Sequence, residues 1–169
     1  DGMDIVTTID VNIQDVAESA LLKQLLKHDA HHGTAVLMEV TTGEIKAIAN
    51  LKRNSNGQYK ETYNYAIGES TEPGSTFKLA SIIAALEDGY VDLNDTIDTG
   101  EGEIQYYDKK LTDSRIGGYG KITVKEVFEV SSNVGISKII TDNYTGREDK
   151  FINRLYRMNL NNKLGLDIK

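Results

Sequence analysis

The sequence predicts an α+β fold that combines a mostly helical lobe with a small antiparallel sheet. Two β-rich runs, residues 34–40 and 44–50, are joined by a short turn that contains Gly43, which is a hairpin signal. Four other segments repeat apolar residues at helical spacing. A chain of 169 residues can bury a real core, so we expect a single domain over residues 1–169.

The first helix is predicted to begin after Asp10, a favoured N-terminal cap, and to end in the polar segment 28–33. This segment contains all three histidines of the chain. No further metal ligands accompany them at a known spacing, so we expect a solvated turn and no metal site.

The first predicted strand is apolar on both faces over residues 35–38, which indicates that both faces are covered. Residues 52–62 are polar and turn-rich and are expected to form an exposed loop. Two paired strands are only marginally stable alone, so helices or a second copy of the chain must cover this sheet.

A second helix is predicted to follow the Pro-Gly turn at residues 73–74 and to end just before Gly89. Its apolar stripe consists of Leu79, Ile82, Ile83 and Leu86. We assign no regular structure to residues 92–121. A capping box predicts a third helix after Thr123, and residues 147–158 are predicted to form the last one.

Ser75 and Lys78 lie three positions apart at the start of the second predicted helix, so their side chains can meet on one face. A serine hydroxyl becomes a good nucleophile when a neighbouring base takes its proton. A lysine desolvated by Phe77, Leu79 and Ile82 can be that base, so the pair predicts covalent acyl transfer. Taken alone, Ser75 fits equally well as a helix cap.

The triplet Ser131-Ser132-Asn133 lies where the third helical pattern stops and another apolar pattern starts. Such a triplet is common by chance, and serine and asparagine favour helix breaks and caps. The separation of 53 positions from Lys78 to Ser131 is enough to cross a small helical lobe and return to the same cleft. Together with Ser75, the triplet therefore becomes a candidate second half of an active site.

The segment 72–78 (Glu-Pro-Gly-Ser-Thr-Phe-Lys) followed by Ser-Ser-Asn-Val-Gly at 131–135 resembles the transpeptidase domain of class B penicillin-binding proteins. Further stretches resemble the same family in the same order: residues 7–10, 14–18, 35–50, 64–66, Asp113 and 122–124. The resemblance implies a partial fold of the penicillin-binding-protein and serine β-lactamase type, with a helical lobe and a truncated sheet.

One motif of this family is missing. The family carries Lys-Thr-Gly or Lys-Ser-Gly on a later strand, and this sequence contains neither; the nearest string is Lys163-Leu164-Gly165. We therefore expect the chain to be the N-terminal part of a transpeptidase domain, without its last strands. We also expect it to acylate very slowly or not at all by itself, although its parent is an enzyme.

The resemblance assigns a role to each candidate residue. Ser75 is the expected nucleophile, Lys78 the base that takes its proton, and Ser131 a proton relay to the leaving amine. Asn133 is expected to bind the backbone amide of the donor peptide and to hold Lys78 in place. No cofactor or metal is implied.

The same resemblance implies partners and a location. These are peptidoglycan stem peptides, β-lactam antibiotics and proteins of the cell-division or elongation machinery, for a membrane-anchored parent acting outside the cytoplasm. The net charge of −7 argues against nucleic acid. The chain lacks cysteine, and no apolar run is long enough to cross a bilayer. Uncovered apolar surface would favour self-association.

Two alternatives stay open. A serine β-lactamase would share the fold and the Ser75 nucleophile, but it would hydrolyse β-lactams rather than remain acylated by them. A non-catalytic interaction module of the cell-wall synthesis machinery would keep the fold without the chemistry.

Overall fold

The computed structural model describes residues 4–165, and it divides the chain into two compact units. One unit ends at Thr71 and the other begins at Glu72. The expectation of a single domain over residues 1–169 stays a prediction. Within residues 4–165, no helix is both long enough and apolar enough to cross a membrane.

The N-terminal unit is a helix on a three-stranded antiparallel sheet. Its elements are α1 (Val11–Lys27), β1 (His32–Met38), β2 (Ile45–Arg53), β3 (Tyr59–Lys60) and α2 (Tyr65–Gly68). The strands lie in the order β1-β2-β3, with His32 opposite Lys52 and a register shift between Leu37 and Met38. The predicted hairpin is therefore confirmed, with a third short strand added.

Helix α1 begins where the sequence predicts and packs on β1 and β2. The carboxylate of Asp10 accepts the backbone N–H groups of Asn12 and Ile13. The side-chain amide of Gln14 donates to the carbonyl of Ile48 (3.2 Å) and accepts its N–H (2.8 Å). The helix thus covers the sheet, as the marginal stability of paired strands requires.

Three expectations for this unit are wrong. Val36, Leu37 and Met38 of β1 are each nearly half exposed, because β1 is an edge strand and the buried side chains belong mainly to its partner β2. Residues 52–53 and 59–60, predicted as loop, belong to strands. His32 lies in β1 rather than in a turn, and its ring stacks on Tyr65.

The C-terminal unit contains four helices and two separate pairs of short strands. Its helices are α3 (Phe77–Glu87), α4 (Val124–Glu129), α5 (Asn133–Tyr144) and α6 (Glu148–Arg157). Its strands are β4 (Thr96–Asp98), β5 (Glu103–Tyr106), β6 (Lys109–Thr112) and β7 (Lys121–Thr123). Strand β4 pairs with β7 and β5 with β6, both antiparallel.

The core of this unit lies where α3, α4 and α5 meet. It consists of Ile82, Ala85, Val124, Val127, Ile136, Ile139 and Tyr144. The predicted helix starts and ends are confirmed: Thr123 and Glu126 form the capping box of α4, and Gly89 ends α3 with φ of +70°. Strands β4, β5 and β6 and the first residue of β7 lie in residues 92–121, for which no regular structure is predicted, because three- and four-residue strands carry little periodicity.

Candidate active site

Ser75 lies at the N-terminal end of α3, as predicted. A 3₁₀ turn, Gly74–Thr76, runs directly into the helix. Gly74 has a positive φ of +58°, and the Thr76 hydroxyl donates to the Pro73 carbonyl at 2.6 Å. The turn is therefore stabilised by a hydrogen bond between its own residues. Ser75 is exposed to solvent.

Lys78 lies on the buried face of α3, which also carries Ser81, Ile82 and Ala85. Its ammonium group donates to the Ser131 carbonyl at 2.6 Å and to the Ser131 hydroxyl at 3.0 Å. Within residues 4–165, no hydrogen bond joins Lys78 Nζ to Ser75 Oγ. Lys78 thus contacts Ser131, which is 53 positions away, rather than Ser75, which is three positions away.

The predicted apolar stripe of α3 is only partly buried. Ile82 is buried, whereas Leu79 is 49% exposed and Ile83 36% exposed. These two side chains and Phe77 line an open groove of about 440 Å³ with Met158 and Leu160. Helix α3 is apolar on more than one face, so its periodicity could not identify the face that is buried.

Ser131 is positioned by the end of α4, which closes in a Schellman motif. The N–H of Ser131 bonds to the Phe128 carbonyl and that of Ser132 to the Val127 carbonyl, both at 3.0 Å. The position just past the helix usually holds glycine, and Ser131 takes it with φ of +54°. This left-handed conformation costs about 1–2 kcal/mol in a non-glycine residue. It accompanies the two bonds of Ser131 with Lys78.

Ser132, the middle residue of the triplet, caps α5. Its buried hydroxyl accepts the Gly135 N–H at 2.8 Å and lies 3.0 Å from both carboxylate oxygens of Asp113. Asp113 also accepts the Val134 N–H at 3.0 Å. The helix-break interpretation of the triplet is therefore right for Ser132, while Ser131 faces Lys78.

Asn133, the first residue of α5, is hydrogen-bonded to the end of β6, next to the residue that bonds Ser132. Its amide nitrogen donates to the Thr112 carbonyl at 2.7 Å, and Thr112 is the last residue of β6. Gly135 completes the junction, because a Cβ there would lie 2.7 Å from both γ-carbons of Val127. The close approach of α4 and α5 thus requires glycine at this position.

The pKa of Lys78 is lowered from its usual value of 10.5, mainly because burial disfavours the charged ammonium. The carboxylate of Asp113 acts in the opposite direction and limits the shift. Both other partners of the ammonium are oxygens of Ser131, which carry no charge. A lysine in this setting gives up its proton more readily than one at the surface.

The structure therefore brings Lys78 and Ser131 into contact and does not join Ser75 or Asn133 to either by a hydrogen bond within residues 4–165. Sequence reasoning gave Ser132 no role beyond a helix break or cap, missed Thr112 and assigned no role to Asp113. The signal for Ser132 was present, since a serine before a renewed helical pattern predicts a cap. The roles of the four predicted site residues stay predictions.

A family model described as "Penicillin binding protein transpeptidase domain" matches residues 33–169. The chain belongs to this family, which confirms the resemblance found from its motifs. The match begins at residue 33, inside the N-terminal unit, and continues through the C-terminal unit.

Similar proteins have matching names. The chain is 34% identical over 143 residues to the probable peptidoglycan D,D-transpeptidase PenA of Neisseria gonorrhoeae, covering 82% of this chain and 24% of PenA. It is 34% identical over 137 residues to the peptidoglycan D,D-transpeptidase FtsI of Escherichia coli K12, covering 78% and 23%. The chain thus spans about a quarter of the length of these relatives.

Solved structures confirm the fold class. A peptidoglycan glycosyltransferase from Burkholderia ambifaria matches with a TM-score of 0.75 and 31% identity, covering 89% of this chain and 44% of that one. The transpeptidase domain of penicillin-binding protein 3 from Burkholderia pseudomallei matches with a TM-score of 0.74 and 28% identity, covering 92% and 43%.

Proposed function

We propose that the protein to which this chain belongs is a peptidoglycan D,D-transpeptidase that crosslinks D-alanyl-D-alanine stem peptides through an acyl-enzyme on Ser75. Lys78 lies about one helical turn after Ser75, and its Nζ contacts Ser131 Oγ at 3.0 Å. This contact carries the proposal. Membership of the penicillin-binding family supports the reaction class, and the names of the relatives support the substrate class.

In the first half-reaction, Ser75 Oγ attacks the carbonyl carbon between the two D-alanines and neutral Lys78 takes the hydroxyl proton. The lowered pKa of Lys78 supports this role, because it raises the fraction of neutral amine. The C–N bond then breaks, and the terminal D-alanine leaves with a proton passed from Lys78 through the Ser131 hydroxyl. The product is an ester on Ser75.

In the second half-reaction, the amine of another stem peptide attacks that ester. Lys78 takes a proton from the attacking amine and returns it to Ser75 Oγ as the C–O bond breaks, which leaves the crosslinking amide. The Asn133 side chain is oriented by its bond to Thr112, and its amide oxygen is left to accept a backbone N–H of the donor peptide.

The developing oxyanion is expected to receive a hydrogen bond from the Ser75 backbone N–H, where the dipole of α3 favours negative charge. The second donor of the family belongs to the Lys-Thr-Gly strand, which this sequence does not contain. Loss of one such donor costs about 10²–10³ in rate. We therefore expect the 169-residue chain alone to acylate very slowly.

The proposal extends to inhibitors, location and partners. A β-lactam presents the same kind of amide and should trap the longer protein as an adduct on Ser75. The proposed place of action is outside the cytoplasm, with the parent anchored in the membrane. Proteins of the division or elongation machinery are the expected partners.

Intact-protein mass spectrometry with benzylpenicillin tests the proposal. The subject is a longer protein that contains this chain and continues through its Lys-Thr-Gly motif, and the 169-residue chain serves for comparison. The longer protein is expected to gain one drug mass and Ser75→Ala none. Thr76→Ala removes the neighbouring hydroxyl and is expected to keep the adduct.

An unmodified longer protein, or an adduct that survives Ser75→Ala, contradicts the proposal. Rapid loss of the adduct with release of hydrolysed drug would instead identify a β-lactamase. A longer protein that binds division proteins but forms no adduct would identify a non-catalytic interaction module.

A further inference from the structure

A cavity of about 310 Å³ lies between the end of α3 and helix α6. Its lining consists of Asp88, Tyr90, Lys150, Asn153, Arg154 and Arg157. Three of these side chains are positively charged and one is negatively charged. The cavity is therefore basic although the chain has a net charge of −7, and it contains none of the four predicted catalytic or substrate-binding residues.

Four basic residues form one row along α6 and its N-cap position. They are Arg147, Lys150, Arg154 and Arg157, at spacings of three, four and three. Arg147 packs over the ring of Tyr90, 5.5 Å from its centroid, and donates to its hydroxyl at 3.3 Å. Within residues 4–165, the salt bridges of this row all involve Arg154, so Lys150 and Arg157 have no carboxylate within 4.0 Å.

Arg154 is held in a fixed orientation by a chain of hydrogen bonds. The hydroxyl of Tyr144, which is buried, donates to Asp88 Oδ2 at 2.7 Å. Asp88 Oδ1 in turn accepts from Arg154 Nε at 2.7 Å and from its Nη2. The other end of the guanidinium, Nη1, lies 4.0 Å from Glu87, an exposed side chain.

The donors that remain favour an anion with several oxygens. Lys150 provides an ammonium, Arg157 a planar fork of N–H groups and Asn153 an amide. Phosphate has more acceptor oxygens and more charge than a carboxylate, and both arginine and lysine bind phosphate well.

We propose that this cavity binds a phosphate-bearing ligand, with Lys150, Asn153 and Arg157 as its direct donors. Arg154, fixed by Asp88, adds positive charge at the floor of the site. A free diphosphate and the headgroup of an anionic lipid offer the same phosphate oxygens, so the chemistry is common to both sources.

Two binding measurements on the 169-residue chain test the site. One is calorimetric titration with sodium pyrophosphate. The other is cosedimentation with vesicles of phosphatidylglycerol and phosphatidylcholine, compared with vesicles of phosphatidylcholine alone. The double variant Lys150→Gln/Arg157→Gln removes two donors of the cavity. The matched control Lys109→Gln/Lys121→Gln removes the same charge from exposed positions outside it.

Pyrophosphate is expected to bind the wild-type chain and the control equally, and the double variant about tenfold or more weakly. Vesicle binding that the double variant loses would identify a lipid headgroup as the source. Pyrophosphate binding without vesicle binding would identify a soluble phosphate. If the double variant does not fold, each single variant is expected to weaken binding about threefold.

The proposal is overturned if the wild-type chain binds neither probe, or if the double variant binds both as tightly as the control does. Penicillin acylation of the longer protein is expected to be unchanged by the double substitution. The phosphate-binding proposal and the transpeptidase proposal can therefore fail independently, and the two measurements tell these failures apart.

Discussion

Lys78 and Arg154 are two cationic side chains of the same compact unit that are held by opposite kinds of partner. Lys78 donates to the carbonyl and hydroxyl oxygens of Ser131, which are uncharged, and burial lowers its pKa. Arg154 donates to the carboxylate of Asp88, and these hydrogen bonds raise its pKa. The uncharged partner leaves Lys78 able to lose a proton, whereas Arg154 is a cation whatever its partner, and the carboxylate of Asp88 holds it in place.

The surroundings of Asp88 complete this contrast. Burial pushes the pKa of its carboxyl upward, but the hydrogen bonds from Tyr144 and Arg154 outweigh burial, and the pKa falls below 3.8. The Tyr144 hydroxyl has a raised pKa, because burial and the Asp88 carboxylate both disfavour the phenolate. The contact between α3 and α6 thus favours the charged forms of Asp88 and Arg154 and the neutral form of Tyr144, whereas burial beside Ser131 disfavours the charged form of Lys78.

The largest expected effect follows from making Lys78 permanently charged. Lys78→Arg places a guanidinium beside Ser131, and arginine does not deprotonate in proteins. Loss of the base is expected to slow penicillin acylation of the longer protein by about 10²–10⁴, as measured by mass spectrometry over time. Lys138→Arg is the matched control, because Lys138 also donates to a backbone carbonyl, that of Asp98. An acylation rate unchanged in Lys78→Arg would exclude Lys78 as the base.

An intermediate effect is expected from removing the hydroxyl that supports Asp88. Tyr144→Phe leaves the ring in the core but takes away the 2.7 Å bond to the carboxylate. The free energy of unfolding is expected to fall by about 1–2 kcal/mol in urea denaturation. Tyr107→Phe, at a fully exposed position, is expected to change it little. Equal stability of Tyr144→Phe and wild type would show that this bond does not support the α3–α6 contact.

The smallest expected effect is a change in the pKa of Lys78 itself. NMR titration of ¹³C-methylated lysines should place it below the ordinary value of 10.5. Asp113→Asn removes the negative charge that favours the ammonium, so the pKa is expected to fall further. Asp108→Asn, at an exposed position, is the control. If the pKa of Lys78 instead rises in Asp113→Asn, the loss of the bond between Asp113 and Ser132, rather than the loss of charge, determines the shift.

Much of the fold followed from local signals. Asp10, Gly89 and the capping box at Thr123 each end or begin a helix by satisfying backbone groups of their own neighbourhood, so sequence alone could place them. The short strands between residues 96 and 123 could not be placed. Their pairing partners lie elsewhere in the chain, and no three-residue segment specifies its partner.

In the candidate site, too, some features could be predicted from the sequence and others only from the folded structure. The spacing of Ser75 and Lys78 and the break at residues 131–133 are visible as patterns of letters. The contact between Lys78 and Ser131 is not, because it depends on a left-handed residue at the end of α4. Asp113 and Thr112, at the end of β6, fix the start of α5 from about 20 positions away, and only the folded chain brings them there.

The order of residue types by itself determined the family, the helix boundaries and the residues able to do acyl-transfer chemistry, because these depend on neighbours a few positions apart. The tertiary structure decided which face of α3 is buried, which oxygens receive the Lys78 ammonium, and how Arg154 of α6 comes to bond Asp88. Burial and long-range hydrogen bonds set the charge state of a side chain, and both exist only after the chain has folded.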